Sequence, residues 1–494
     1  MISILWALFA VLAVYVLYTR YLDFCRDVPP EYLNHQSVAE NTRKPDELAI
    51  HKSTKLDYIT GLRVGLGIRY DHYKIRNGNL NDIWEILIGH HGRSSVAKIT
   101  IGGEQIKISQ LKAAVDTLSE LFRSWKDVLE VAMLTELYMA KKHTLALTIA
   151  SFLAQIPVHV YDESSKHLVA CDSAILADNE GDLSIVQASD RSCLLRLDTL
   201  DFAAEKHDFA NEYHLEKDRG IALRVSTRLN HKVLASTQFT QLNLVSAVAS
   251  CIKHLPPNAE LGNKDLLVIV QDHSTPESIL NETIKVLVLF VTGSELILAH
   301  NGPNFMAYKP TVLVTGPQQA KAIPVVPRLL GTFLYYHRLF SLSRLRFPGA
   351  SSRKNSQLRL IYVHRDCSSG CYTNWNTLRA SLGVNVVEEI GHYNIAGPFL
   401  VTDYYEFRTF PAYVTAKIAA SGAVVQANEM KLLGSDPAKP RDLAIRGYNI
   451  GKTLTIMQGV GQTHEKPDDE GFHRLPYVCR WGTDGCLYIL GKNL

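Results

Sequence analysis

Residues 266–270 read LLVIV, a segment with no polar side, and that constrains the chain more than any other feature. A strand built from it must be covered on both faces, the environment of a buried parallel sheet. A helical segment at 284–290 and a second apolar segment at 311–315 follow. The same strand, helix, strand order recurs at 358–364, 374–382 and 384–388, and earlier runs from 128–133 through 150–153 to 156–161. Units of this kind build doubly wound α/β sheets. Residues 95–110 alternate about Gly102-Gly103 and predict a β-hairpin. Residues 109–123 then place Leu111, Ala114, Val115, Leu118, Leu121 and Phe122 at the period of an amphipathic helix. From 422 onward the pattern changes, and 422–433, 443–446 and 486–490 alternate or run apolar between glycines. The expected fold class is α/β, with doubly wound sheet subdomains ending in a smaller β subdomain. At 494 residues and 46% hydrophobic composition, the chain has the apolar content of an ordinary globular body.

The first residues obey a different rule. Residues 2–18 (ISILWALFAVLAVYVLY) carry no charge, proline or glycine. As a helix they span roughly 26 Å, close to the hydrocarbon thickness of an endoplasmic reticulum bilayer. Tyr15, Tyr18 and Tyr21 sit at one end, as an interfacial aromatic belt does. A cleaved signal peptide carries basic residues before its apolar run and small residues after it; here none precede and Tyr18-Thr19-Arg20 follows. An uncleaved transmembrane anchor is therefore expected. Arg20 and Arg26 lie just beyond it, which directs the body to the cytosol. Cysteines at 25, 171, 193, 251, 367, 371, 479 and 486 show no disulfide-framework spacing, as in a reducing compartment. Asn281-Glu-Thr283 is the one N-glycosylation acceptor.

Other constellations carry less. Lysines and arginines number 52 against 49 aspartates and glutamates, so no nucleic-acid footprint exists. Gly65-Leu-Gly67 is half a dinucleotide fingerprint with Tyr70 at the third glycine position, and reads as a turn. Residues 341–359 read as a basic, solvated loop. His364, Cys367 and Cys371, with Cys479 and Cys486 further on, lack a second ligand pair close in sequence and read as free thiols beside a histidine. His90-His91, between Gly89 and Gly92, reads as a turn. No metal is expected. The Gly-x-Ser-x-Gly elbow of a hydrolase is missing from the sequence.

Six segments occur in one order across 108–494. They are 265–273, Lys309-Pro310-Thr311, 386–398 (VVEEIGHYNIAGP), 422–432, 444–452 (AIRGYNIGK) and 481–492 (WGTDGCLYILGK). In that order they resemble the landmarks of the adenylate-forming (AMP-binding) superfamily, which includes the acyl-CoA synthetases. The resemblance implies the fold of the large N-terminal domain of those synthetases. It divides the chain into an anchor at 1–20, a juxtamembrane segment and hairpin at 21–107, α/β sheet subdomains at 108–400 and a β-rich subdomain at 401–494.

The departures bear on function. The family closes a glycine-rich loop on ATP phosphates, because backbone N–H groups must approach them. The corresponding window, 224–243, has neither glycine nor proline, and neither occurs from 221 to 254. It offers Arg224, Thr227, Arg228 and an out-of-register Lys232, and its β-branched residues predict a stiff strand or helix. The family's Mg²⁺-holding Thr-Glu becomes Tyr393-Asn394, and a neutral amide is a poor ligand for a hard dication. The ribose-binding Asp aligns with Tyr477, whereas Gly391 is kept, as a tight turn requires. His273 matches a family histidine at the ligand pocket, although Gln271-Asp272 beside it breaks the pattern, and a buried, hydrogen-bonded histidine is its plain structural reading. Only Asn493 and Leu494 follow Gly491-Lys492, so the family's C-terminal lid and its lysine are expected to be absent.

These features lead to the expectation of a membrane-anchored, catalytically inactive acyl-CoA-synthetase-like protein. It would bind a fatty acyl or other lipid ligand, or scaffold a partner enzyme of lipid metabolism, at the endoplasmic reticulum or lipid droplet. No catalytic residue and no cofactor is expected. The alternative is an active ATP-dependent acyl-CoA ligase, with ATP and Mg²⁺ as cofactors and Arg224, Arg228 and Lys232 on the phosphates.

Overall fold

The computed structural model describes residues 2–42, 47–56, 61–69, 74–93, 98–124, 129–169, 174–177, 182–185, 193–196, 200–205, 220–300, 305–323, 329–347, 357–367, 372–434, 436, 439–457 and 461–493. Tyr70, Val128, Cys171, Cys371 and residues 348–356, all weighed above, lie outside these.

Two large sheets organise the body. The first has a parallel centre formed, in spatial order, by Lys98–Ile101, Glu295–Ala299, Leu266–Val270, Val312–Thr315, Leu360–Asp366 and Asn385–His392. The LLVIV segment lies in this centre, and Leu267, Val268 and Ile269 are inaccessible to solvent, as its two-sided apolarity demands. Glu104–Lys107 closes one edge as the predicted hairpin, with Gly102 at φ 56° and Gly103 at φ 88°. Glycine suits that turn because both central residues take positive φ. Beyond Asn385–His392 the sheet turns antiparallel through Ile395–Val401 and Ala420–Val424. It then continues through Leu487–Lys492, His473–Trp481, Arg441–Gly447 and Asn428–Leu432 to His51–Ser53 and Ser37–Ala39. The expected terminal β region is thus present, but as a hydrogen-bonded extension of the first sheet.

The second sheet contains parallel Glu130–Leu134, Val158–Tyr161 and Ile221–Asn230. Val233–Thr240, Lys452–Met457 and Gly461–His464 extend it antiparallel. The helices among the described residues are α1 (Ile2–Phe24), α2 (Leu80–Arg93), α3 (Ile108–Ser124), α4 (Lys142–Ala154), α5 (Gln241–Ile252), α6 (Pro276–Thr292), α7 (Pro317–Ala322), α8 (Leu329–Ser343), α9 (Asn376–Leu382) and the single turn α10 (Ala412–Thr415). Side chains of α2 to α6 share the largest core with strands of both sheets, including Val131, Val158, Leu267 and Leu296. Local signals place these helices well. Thr275 caps α6 by accepting from the Ser278 N–H, Pro276 opens the helix, and Gly293 ends it at φ 69°.

Three local readings need correction. The Gly89-His90-His91-Gly92 stretch is the end of α2, not a turn; Leu80, Ile83, Trp84 and Leu87 form a buried stripe at helical spacing, and that packing outweighs the glycines. His90 Nε2 lies 3.0 Å from the Val291 carbonyl, at the C-terminal end of α6. The strand Glu295–Ala299, which begins just after α6 ends at Thr292, was not expected. Helix α8 reaches Ser343, into the start of the stretch read as a loop. It packs beside α1, with Tyr18 bonded to His337 and stacked on Phe340, and Arg344 3.4 Å from Asp23.

Candidate functional site

The window that replaces the family's glycine-rich loop is a β-hairpin, Ile221–Asn230 and Val233–Thr240. Its tip is held by Asn230, whose Oδ1 accepts the Lys232 and Val233 N–H groups at 2.9 and 3.0 Å. Backbone N–H groups paired across the two strands cannot also close on a phosphate. Side chains stitch the hairpin further. Arg224 donates to Ser236 Oγ at 3.0 Å and lies 3.5 Å from Glu130. Thr227 Oγ1 and the Arg228 N–H both donate to Asp162 Oδ2, at 3.3 and 3.0 Å. Lys232 is exposed at the tip. The window is thus strand, one of the two forms its β-branched residues predicted. Glu130, His159 and Ser226 stand in the order of a hydrolase relay, at 3.2 and 2.8 Å. However, His159 and Ser226 are fully buried, and the Ser226 hydroxyl also meets Ser236 at 2.7 Å. That relay rigidifies the sheet and meets no substrate.

Gly391, Tyr393, Asn394 and Tyr477 gather elsewhere, at the carboxyl end of Asn385–His392. Ligands of open α/β sheets bind at such ends. Tyr393 donates to Glu465 Oε1 at 2.7 Å, and Asn394 Nδ2 to Glu465 Oε2 at 3.2 Å. Burial and the Glu465 carboxylate push the Tyr393 phenol up from its ordinary pKa. Asn394 Oδ1 accepts from His392 Nδ1 at 2.6 Å, so both ends of the amide are engaged. Tyr477 is 2% exposed; it stacks on Phe399 with ring centroids 6.1 Å apart and meets His392 edge-on at 5.4 Å. Where the resemblance places a ribose-binding carboxylate, this chain has packed aromatic core.

Gly391 is required for a reason other than a tight turn. It lies within the strand, and a Cβ there would sit 2.7 Å from His364 Cε1 and 3.2 Å from Glu277 Cβ. Gly391→Ala is therefore expected to lower stability by about 1–3 kcal/mol through overpacking. Thermal denaturation of the variant checks this, and an unchanged midpoint would mean that His364 moves aside freely. Glu277, in the first turn of α6, is pushed by burial to a pKa of about 7, and His364 is pushed by burial down to about 3. Burial favours the neutral form of each, and for Glu277 it outweighs the opposing charge of Lys492. His364 lines a cavity of about 20 Å³ together with Asp272, Glu282 and Gly316. That is room for one water. His273 sits beside it, with Nε2 3.2 Å from Glu282 Oε2; against the effect of burial, that carboxylate holds the imidazole above its usual pKa. His273 is thus partnered, as a buried, hydrogen-bonded histidine would be, but only half-buried.

The two groups of residues singled out in the sequence thus occupy different places, the hairpin and the strand end. Sequence reasoning missed Glu277 and Glu465, since nothing local marks either as a neighbour of Gly391 or Tyr393. Cys367 and Cys479 share one core, and burial raises both thiol pKa values. Among the described residues, no group of three His, Cys, Asp or Glu side chains is arranged to hold a metal ion.

No protein-family model matches the chain. Among curated proteins it is similar to the uncharacterized protein YHR045W of Saccharomyces cerevisiae, 22% identical over 539 aligned residues and covering 95% of each chain. Among solved structures it is similar to a long-chain-fatty-acid-CoA ligase (FadD1) from Archaeoglobus fulgidus, with TM-score 0.55, 11% identity and 87% of each chain covered. It is also similar to apo MatB from Rhodopseudomonas palustris, with TM-score 0.57, 14% identity, and 84% of this chain and 79% of that one covered. The N-terminal domain of FACL13 from Mycobacterium tuberculosis matches with TM-score 0.57 and 11% identity, over 83% of this chain and 99% of that domain. The chain has the adenylate-forming fold, as the order of its motifs implied, and the match to an isolated N-terminal domain is the architecture expected.

Proposed function

We propose that this ligase-like protein forms no adenylate, and that it holds a lipid-like ligand or a partner enzyme of lipid metabolism at the cytosolic face of a membrane. One observation carries the first half. The carboxyl ends of the central strands, where a nucleotide would lie, are occupied by Tyr393 on Glu465, by Tyr477 stacked on Phe399 and by His364 beneath Gly391. Among the described residues, a cavity at the ends of Leu266–Val270, Val312–Thr315 and Leu360–Asp366 measures about 20 Å³, whereas small-molecule sites are roughly 300–1,000 Å³. The hairpin adds to it, because paired strands cannot fold over phosphates as a glycine-rich loop does.

The membrane half rests on α1, the one helix among the described residues that is long and apolar enough to cross a bilayer. Its side chains from Ile4 to Leu17 stand mostly exposed, which a lipid environment would cover. Helix α8 supports the same reading. It lies along the end of α1 and exposes Phe333 (76%) and Tyr336 (64%), as an interfacial helix does. The apolar run of residues 2–18, roughly 26 Å as a helix, supports a thin membrane such as the endoplasmic reticulum, or the lipid droplets derived from it.

The test is calorimetric titration of Mg-ATP into the full chain in lipid nanodiscs, with an active acyl-CoA ligase as control. No heat and no thermal stabilisation at millimolar ATP is the expected result. Micromolar binding would overturn the reading and favour the alternative, an ATP-dependent acyl-CoA ligase. Arg228 and Lys232, both exposed on the hairpin, are the side chains that would then reach phosphate.

A further inference from the structure

Helix α8 is apolar on two opposite faces. On one, Tyr335, Leu339 and Leu342 pack with Ala380 and Phe407 of the body, and Arg338 donates to the Ala380 and Ser381 carbonyls at 2.8 and 3.2 Å. Residues spaced three and four apart form one face of a helix, so this stripe fixes α8 to α9. Phe333, Tyr336, His337 and Phe340 keep the same spacing on the other face. The later members of that second stripe meet α1. His337 is bonded to Tyr18, and the Phe340 ring lies 6.2 Å from the rings of both Tyr15 and Tyr18. The earlier members, Phe333 and Tyr336, stand exposed, and Leu334 beside them is 48% exposed. Arg338 is the only lysine, arginine, aspartate or glutamate of α8, so the exposed face lacks the charge that a water-facing helix carries.

The contacts with α1 fix which way α8 points. Tyr15 and Tyr18 meet His337 and Phe340, whereas Asp23 lies 3.4 Å from Arg344 and the Asp27 N–H donates to the Leu345 carbonyl at 3.2 Å. Later residues of one segment meet later residues of the other, so the two helices run in the same sense. Thr19 and Leu22 of α1 are buried, which holds this end of α1 against the body. Tyr18 ends the apolar run of residues 2–18. Phe333 precedes His337 by about one turn, roughly 6 Å along the helix, and so lies on the apolar side of the Tyr18 level. On the other side stand Arg20, Arg26, Arg344 and Arg346 against Asp23 and Asp27, a positive excess of the kind that anionic head groups attract. Exposed apolar side chains on one side of a level and arginines on the other is the order of a bilayer interface.

We propose that α8 is a second membrane element: the stretch from Gly331 to Tyr336 dips into the leaflet in which α1 ends, with Phe333, Leu334 and Tyr336 among lipid acyl chains. The body is then held on the membrane at two points and in one orientation, which a single span would leave free to turn. The proposal rests on the reading of α1 as a span and goes beyond it. Lipid is the occupant because the exposed stripe continues from the contact with α1, whose own exposed side chains need the same cover. A penetration of roughly 6 Å is also within the depth that amphipathic helices reach below the head groups.

The experiment reconstitutes the full chain in vesicles of phosphatidylcholine and phosphatidylserine, with Leu12, Phe333, Tyr336 or Tyr448 replaced singly by the photoreactive p-benzoylphenylalanine. Adducts formed on irradiation are identified by mass spectrometry, and melting curves verify that each variant folds. Leu12 reports on α1. Tyr448, whose carbonyl accepts from Asn243 at the start of α5, is the control; the segment that follows α1 meets the other end of that helix, where Lys55 donates to the His254 carbonyl. Phospholipid adducts are expected at 12, 333 and 336, and those at 333 and 336 are expected to exceed the yield at 448 at least tenfold. On the unmodified protein, hydroxyl-radical oxidation of Tyr336 is expected to be at least tenfold slower than that of Tyr448, although Tyr448 is the less exposed in the fold, at 43% against 64%. Adducts from 333 and 336 to a second copy of the chain would overturn the proposal, as would oxidation of Tyr336 as fast as that of Tyr448. If lipid adducts still form at 12 in either case, the reading of α1 as a span stands and only α8 is lost. Lipid adducts at 333 and 336 without any at 12 would remove the span and keep α8 as the membrane contact.

Discussion

Lowering the pH from 7 to 5 is expected to reduce the stability of the folded protein by about 2 kcal/mol, with little change between pH 7 and 6 and about as much again lost by pH 4. Burial pushes His364 and His392 down to about 3 from an ordinary value of 6.5. In the unfolded chain they protonate from about pH 6.5 downward, while in the fold they stay neutral. The unfolded state then binds more protons, and each histidine costs stability as pH falls. Glu277 acts in the opposite sense. Its folded value of about 7 lies above its ordinary 4.5, so the stability it contributes is fully present below about 4.5 and is lost as pH rises toward 7. Between 7 and 5 it offsets roughly half of the histidine loss. Burial also depresses His51, to about 4, and His159 and His254, which adds to the acid side, while His273, held above its usual value by Glu282, acts against them. Glu277→Gln mimics the protonated carboxyl and is expected to stabilise the protein at pH 8 while steepening the loss from pH 7 to 5. Denaturant unfolding at a series of pH values measures both, and a flat profile across that range would mean that these histidines are hydrated.

Lys285→Met is expected to destabilise the protein by about 3–5 kcal/mol. Lys285 of α6 and Glu389 of the strand Asn385–His392 form an ion pair at 2.5 Å with each side chain only 1% exposed. Lys285 also lies 3.6 Å from the centre of the Tyr362 ring. Removing one charge leaves the other buried and unpaired, which costs far more than the pair contributes. The double variant Lys285→Met with Glu389→Leu is expected to recover most of the loss, since apolar side chains of similar volume replace buried pairs at little cost. Equilibrium denaturation of the three variants decides it. A single variant within about 1 kcal/mol of wild type would mean that water reaches the pair.

Much of the fold was legible because its signals are local. The hairpin at Gly102-Gly103, the amphipathic α3 and the apolar strands of the parallel centre each announce themselves within a dozen residues. The stiff hairpin at Ile221–Asn230 and Val233–Thr240 was readable from its missing glycines. The failures are local conflicts. Glycines beside His90 and His91 read as a turn until Leu80, Ile83, Trp84 and Leu87 bury the helix. For the site, the exchanges at Tyr393, Asn394 and Tyr477 were visible as identities. Their consequences were not, since Glu465 and Phe399 meet them only through pairing of distant strands.

The sequence by itself determined the class of fold, the apolar N-terminal helix and the absence of a glycine-rich loop, because periodicity, length and backbone freedom are properties of neighbouring residues. Only the tertiary structure decided that Tyr477 is core, that Gly391 makes room for His364, that Lys285 finds Glu389, and that the exposed stripe of α8 continues from its contact with α1. Burial, and with it every pKa shift, is a property of the residues that long-range packing brings alongside, which no local pattern records.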